Sequence, residues 1–168
     1  NADIVAAAAA SQTAEMYQFW RQLAFAGLIE GSYSGVTGSG GIEDSLLGAN
    51  VPRSKLSNGG WSTWGAQTAF GDAQTYTALY GNMFEFGAKV AASRTFGALL
   101  KPEESWNIDT KLDDGKPGTG RVIARELGSF SGAAATKCTT STTNTDYAGL
   151  YNLTNSSAGC ALYFPQSF

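Results

Sequence analysis

At 168 residues, 43% of them apolar and 15% charged, the chain is sized for one domain with its own core. A net charge of −3 argues against a nucleic-acid surface, and the absence of histidine removes Ser-His-Asp and Cys-His catalysis along with histidine-bearing zinc sites. No apolar stretch approaches the ~20 residues needed to cross a bilayer, the alanine run at 6–10 included.

Residues 1–10 are low in complexity and read as a loose, flexible lead-in to a single domain spanning 1–168. Ser11 offers an N-cap and Glu15 an acidic first turn, so a helix is expected over 11–30 with Gly31 at its C′ position. Met16, Phe19, Trp20, Leu23 and Gly27 share one face of that helix, and the stripe reads as core rather than as a binding groove. Residues 31–60 are glycine-rich and loop-like. Tyr33, Leu46, Leu47, Val51 and Leu56 are their candidate anchors. Gly38-Ser39-Gly40-Gly41 lacks the flanking strand and helix of a phosphate loop.

From Trp61 the pattern turns to strands: Trp61 to Phe70, Thr75 to Tyr80, and Met83 to Val90 with Phe84 and Phe86 on one face. Turns at Gly71-Asp72 and Gly81-Asn82 would join them as an antiparallel meander. Trp61 and Trp64, three apart in a strand, point to opposite faces, one expected in the core and one exposed. Pro102, Glu103 and Glu104 open a short helix that runs into Asp113-Asp114-Gly115 and stops at Pro117. The two adjacent glutamates suit the helix start better than a glycosidase pair, because neighbouring helical residues diverge by about a hundred degrees. Further strands are expected at Arg121 to Leu127 and Ala161 to Phe164, on either side of a Ser/Thr/Asn loop from Thr136 to Ser157.

Carboxylates at a helix C-terminus oppose its dipole, so Asp109, Asp113 and Asp114 need a reason. One is a calcium site, since calcium takes ~6–8 oxygens, although Lys111 breaks the EF-hand pattern. The other, favoured here, is a structural turn in which the aspartates accept backbone N–H bonds and Lys111, Lys116 or Arg121 balances the charge. No other cofactor is implied. Cys138 and Cys160 are too few for a closed zinc site. They are either two buried free thiols or a disulfide. Their polar surroundings favour the disulfide, which stabilises by ~3 kcal/mol and implies an oxidising compartment. The tract Thr139 to Thr145 reads as a solvated loop closed by that bond, with a glycan-bearing or receptor-facing loop as the alternative. Asn152-Leu153-Thr154 and Asn155-Ser156-Ser157 match the N-glycosylation pattern.

Four segments together resemble bacterial prepilin-type proteins, the pilins of type IV pili and the pseudopilins of type II secretion systems. They are Glu15 to Gly35, Asn50 to Leu56 leading to Gly60-Trp61, Trp106 to Val122, and the cysteine pair with Cys160 to Phe164. The resemblance spans about residues 13–165, and its third segment is the most specific. It implies an α+β pilin-like head, with helix packed on a single antiparallel sheet of about four to five strands and a disulfide-closed C-terminal region. It implies a structural subunit without catalytic residues, or alternatively a minor pilin or adhesin-like tip module. Such proteins carry a leader and a long apolar stem helix, neither of which is in this sequence. The stem would then be a removed part of the same chain or a separate chain. A head without its stem is expected to expose an apolar groove. Phe19, Trp20, Leu23, Trp61 and Trp64 are the candidate contacts with stem or subunits. The partners implied are other pilin subunits, with no nucleic acid, in an extracellular filament or the periplasm of a Gram-negative bacterium, with inner-membrane anchoring before assembly if a stem is present.

Overall fold

The computed structural model describes residues 14–126 and 137–168. It is an α+β arrangement of two helices and a four-stranded antiparallel sheet. In chain order the elements are α1 (Glu15–Phe25), β1 (Gly59–Ala66), β2 (Gly81–Ala88), α2 (Pro102–Leu112), β3 (Ile123–Glu126) and β4 (Cys160–Phe164). The strand order is β1-β2-β4-β3.

Helix α1 is shorter than its apolar pattern suggests. Ala14 is extended, so the helix starts at Glu15, while the expected cap Ser11 and the lead-in at 1–10 lie outside the described residues. The stop comes at Gly27, not Gly31. Gly27 adopts φ +69, its N–H donates to the Ala24 carbonyl at 3.0 Å, and the Leu28 N–H reaches the Leu23 carbonyl at 3.0 Å. That pair of bonds is a Schellman motif, and glycine takes its left-handed position without the Cβ penalty. Met16, Tyr17 and Trp20 are buried, while Phe19 and Leu23 are partly so.

The strand expectations need three corrections. Gly81 and Asn82 do not turn the chain. They begin β2 and pair with Ala66 and Gly65, in a register that runs back to Gly59 opposite Ala88. The segment 75–80 is not a strand of the sheet; it makes single bridges, Thr75 with Arg125 and Ala78 with Phe70. Its tyrosines explain why. Tyr76 and Tyr80 are fully buried against the sheet, and a segment plugged in by both aromatics leaves the meander. The strand expected at Arg121–Leu127 is shorter, Ile123–Glu126, and Leu127 lies outside the described residues.

The register divides the sheet into two faces. Trp61, Thr63, Phe84, Phe86, Ala124, Leu162 and Phe164 occupy one, and Ser62, Trp64, Met83, Glu85, Ile123, Arg125 and Tyr163 the other. Both helices pack on the first face. Helix α1 lies over β1, where the Thr63 hydroxyl donates to the Met16 carbonyl at 3.3 Å. Helix α2 lies over β4, where Ile108 packs against the cluster of Leu100, Val122 and Tyr151 that holds the Cys138–Cys160 disulfide. The second face is covered by the chain's own 70–80 and 94–96 segments.

The long 31–58 loop is held by polar anchors that its apolar residues do not announce. The Asn50 side chain accepts from the Leu46 N–H at 2.6 Å and donates to the Val36 and Asp44 carbonyls at 3.0 Å each. The Asp44 carboxylate accepts from the Gly40 N–H and pairs with Lys89, both at 2.9 Å. Burial resists its charge, but those donors bring its pKa below the usual carboxylate range. Of the expected apolar anchors, Val51 is buried, whereas Leu46 and Leu56 are exposed.

Candidate functional site

Beside α1 on the first sheet face runs an open groove of about 820 Å³, floored by Trp61, Phe84 and Phe164, walled by Trp20, Ile29 and Tyr33 on one side and bordered by Pro52, Arg121 and Ser167. The floor follows from alternation: these three side chains share the face that register assigns to the helix layer. The aromatic rings continue from the floor into the wall. Trp61 lies 4.5 Å from Phe86 and 5.6 Å from Phe164, Trp20 lies 5.7 Å from Phe84, and Phe168 stacks on Phe19 at 4.8 Å. Arg53, Arg121 and Glu30 also line the groove.

The candidate contact residues divide. Trp20 and Trp61 line the groove, and Phe19 and Leu23 lie in the α1 cluster behind it. Trp64 is on the opposite sheet face, 5.1 Å from Phe70, with the Arg94 guanidinium 4.7 Å above its ring. Neither tryptophan is exposed; both are half-buried, against the expectation that one would face solvent. Nothing in the local sequence pattern places the groove beside α1 and over Trp61, Phe84 and Phe164.

The acidic cluster comes together as expected. Asp109, Asp113 and Asp114 each place a carboxylate oxygen within 4.8 Å of the others. Their oxygens are engaged by the loop that follows α2. Asp109, fully buried, accepts from the Gly115 N–H at 3.1 Å and from the Tyr151 hydroxyl at 2.8 Å. Asp113 accepts from the backbone N–H groups of Arg121 and Val122, and Asp114 from the Lys116 N–H and Thr119 hydroxyl at 2.8 Å each. Burial, reinforced by the charges of Asp114 and Asp113, pushes Asp109 up to about 6 against those hydrogen bonds. The cluster therefore reels the loop back over the helix end. Gly120 is required for it, since a Cβ there would lie 1.8 Å from the Asp113 carboxylate. This is the turn in which aspartates accept backbone N–H groups. The charge balance is different from expectation: among the described residues no ion pair joins the cluster to Lys111, Lys116 or Arg121.

The remaining candidates have structural places. Glu104 reaches back from the first turn of α2 to the Lys101 N–H at 2.8 Å, while Glu103 is exposed. The Thr139–Thr145 tract is not uniformly solvated, because Thr139 and Ser141 are buried against the Tyr76 hydroxyl. Asn155 is buried and donates its amide to the Lys137 carbonyl, so that sequon is inaccessible.

No family model matches this chain, and no curated protein or solved structure matches it either. Among the described residues no helix is long and apolar enough to cross a membrane.

Proposed function

We propose that this chain is the globular head of a prepilin-type filament subunit, of a type IV pilus or a secretion pseudopilus, and that it works by assembly. The observation that supports this reading best is the open aromatic groove on the helix side of the sheet. Helix α1 covers part of that face and leaves a half-buried strip of Trp61, Phe84 and Phe164 beside it. A two-layer α+β fold completes itself by covering such a face, and a further helix laid along α1 would do so. On this reading the missing cover is the lower half of the stem helix, provided in cis or by a separate chain. Trp20, Trp61, Phe84 and Phe164 are its contacts, and other heads are the lateral partners. The Cys138–Cys160 bond suits a periplasmic or extracellular filament of a Gram-negative bacterium.

Antibodies raised against this domain test the proposal on filaments sheared from the producing cells or assembled on overexpression. Label repeated along the filament is the expected result. Label confined to one end would identify a minor, tip-located subunit instead, and filaments without label would overturn the reading.

A further inference from the structure

The groove has an apolar floor and a cationic rim. Arg53 and Arg121 both line it and are both exposed, whereas Glu30 is the sole acid among its lining residues. Arg53 donates to the Leu47 carbonyl at 3.1 Å, and Arg121 uses its backbone N–H on Asp113. Among the described residues, neither guanidinium forms an ion pair. The contrast is with the opposite sheet face, where Arg94 meets Glu43 at 2.7 Å and Glu85 at 2.9 Å. A chain of net charge −3 thus leaves two arginines without an ion-pair partner among the described residues beside this half-buried aromatic strip.

Resting on the reading of the groove as a helix dock, we propose that its occupant is an apolar helix bearing a carboxylate that Arg121 and Arg53 receive. The strip specifies the apolar face of that helix, and α1, whose Trp20 walls the groove, specifies its packing layer. The guanidinium groups specify the sign of its polar residue. A planar guanidinium takes a carboxylate through two parallel N–H bonds, so the pair also fixes the sliding register of an otherwise featureless apolar contact. Because the rim is open to solvent, the attraction is screened by salt while the apolar contact is not.

The test uses the head domain and a set of 18-residue amphipathic Leu/Ala helical peptides. The set carries a single Glu, Gln or Lys, stepped one helical turn at a time along the edge of the apolar face. Binding is followed by tryptophan fluorescence and calorimetry. The expected result is that at least one register of the Glu series binds about fivefold or more tighter than its Lys counterpart at low salt. That preference should fall below about twofold in 0.5 M salt and in the Arg53→Gln/Arg121→Gln variant, whose binding of the Gln peptides should be unchanged. Equal affinity of the Glu, Gln and Lys series at every register overturns the carboxylate proposal and leaves helix docking standing. Failure of every peptide to bind the folded head overturns the docking reading itself. If the head alone dimerises and Trp61→Ser makes it monomeric, a second copy occupies the groove and the proposal falls.

Discussion

The two faces of the sheet solve the same burial problem with different chemistry. The face bearing Glu85 is closed by the chain itself and is rich in polar groups. Glu85 accepts from Ser62 at 2.7 Å and from Arg94 at 2.9 Å, Thr95 donates to Ser62, and Arg125 donates to Thr75 and Tyr163 at 2.8 Å each. Phe96 serves both arginines, lying 5.3 Å from the Arg94 guanidinium and 4.5 Å from that of Arg125. The groove face has no such network over its central strip. Its aromatic surface is geometrically undemanding and stands partly open. A charged network is directional and specifies one arrangement within one chain, whereas an apolar strip accepts whatever helix fits. The comparison therefore separates a face closed by directional polar contacts from a face whose aromatic strip stands partly open.

Removing charge from the closed face should cost most. Arg94→Ala strands Glu85 without its counter-ion in a buried setting, and a loss of about 3–5 kcal/mol is expected in urea unfolding. A loss below about 1 kcal/mol would mean that the network is dispensable and that the two faces do not differ in kind. Next comes the covered half of the groove face. Replacing both cysteines in Cys138→Ser/Cys160→Ser should lower stability by about 3 kcal/mol, since the bond closes a separation of 22 residues. Unfolding of the variant under non-reducing conditions checks this.

The same covered half should make stability fall with rising pH. Burial pushes Glu126 up to about 7, with Lys137 opposing, and among the described residues its two carboxylate oxygens have no hydrogen-bond partner. Asp109 is raised to about 6. A carboxyl group raised on folding contributes stability that is complete below its unfolded pKa of about 4 and is lost as pH rises through the folded value. The melting temperature should therefore drop between pH 5 and pH 8, and Glu126→Gln with Asp109→Asn should flatten that drop. A flat profile in the parent protein contradicts the buried-acid assignment. On the open strip, Phe168→Ala should cost under about 1 kcal/mol, because that ring is 46% exposed. Smallest of all is the expected response to chelation. The aspartate oxygens at the end of α2 already hold N–H and O–H donors, so EDTA should leave the melting curve unchanged, and a drop reversed by calcium would establish a cation there.

Much of the architecture could be read from local pattern. The start of α2 was visible in Pro102 and Glu104, the aromatic alternation of β2 in Phe84 and Phe86, and the disulfide in a cysteine pair whose polar surroundings favoured it over two free thiols. The acidic turn was legible as a structural device because the dipole rule made it anomalous. What failed was long-range. Nothing local distinguishes 75–80 from a strand, since Tyr76 and Tyr80 leave the sheet only because the Glu85 face needs covering. Asn50 and Asp44 look like loop residues, and their role as anchors appears only when Val36, Gly40 and Lys89 come near. The stop of α1 was misread by one glycine, although Ala26-Gly27-Leu28 already carried the cap. An apolar groove was expected from the resemblance alone, and its place over Trp61, Phe84 and Phe164 beside α1 depends on strand order.

A reconstruction of the assembled filament at side-chain resolution tests the central claim most directly. The account predicts this head repeated along the axis, with a helix lying over Trp61, Phe84 and Phe164 alongside α1. A head whose aromatic strip faces solvent in the assembly, with the stem seated elsewhere, would contradict it.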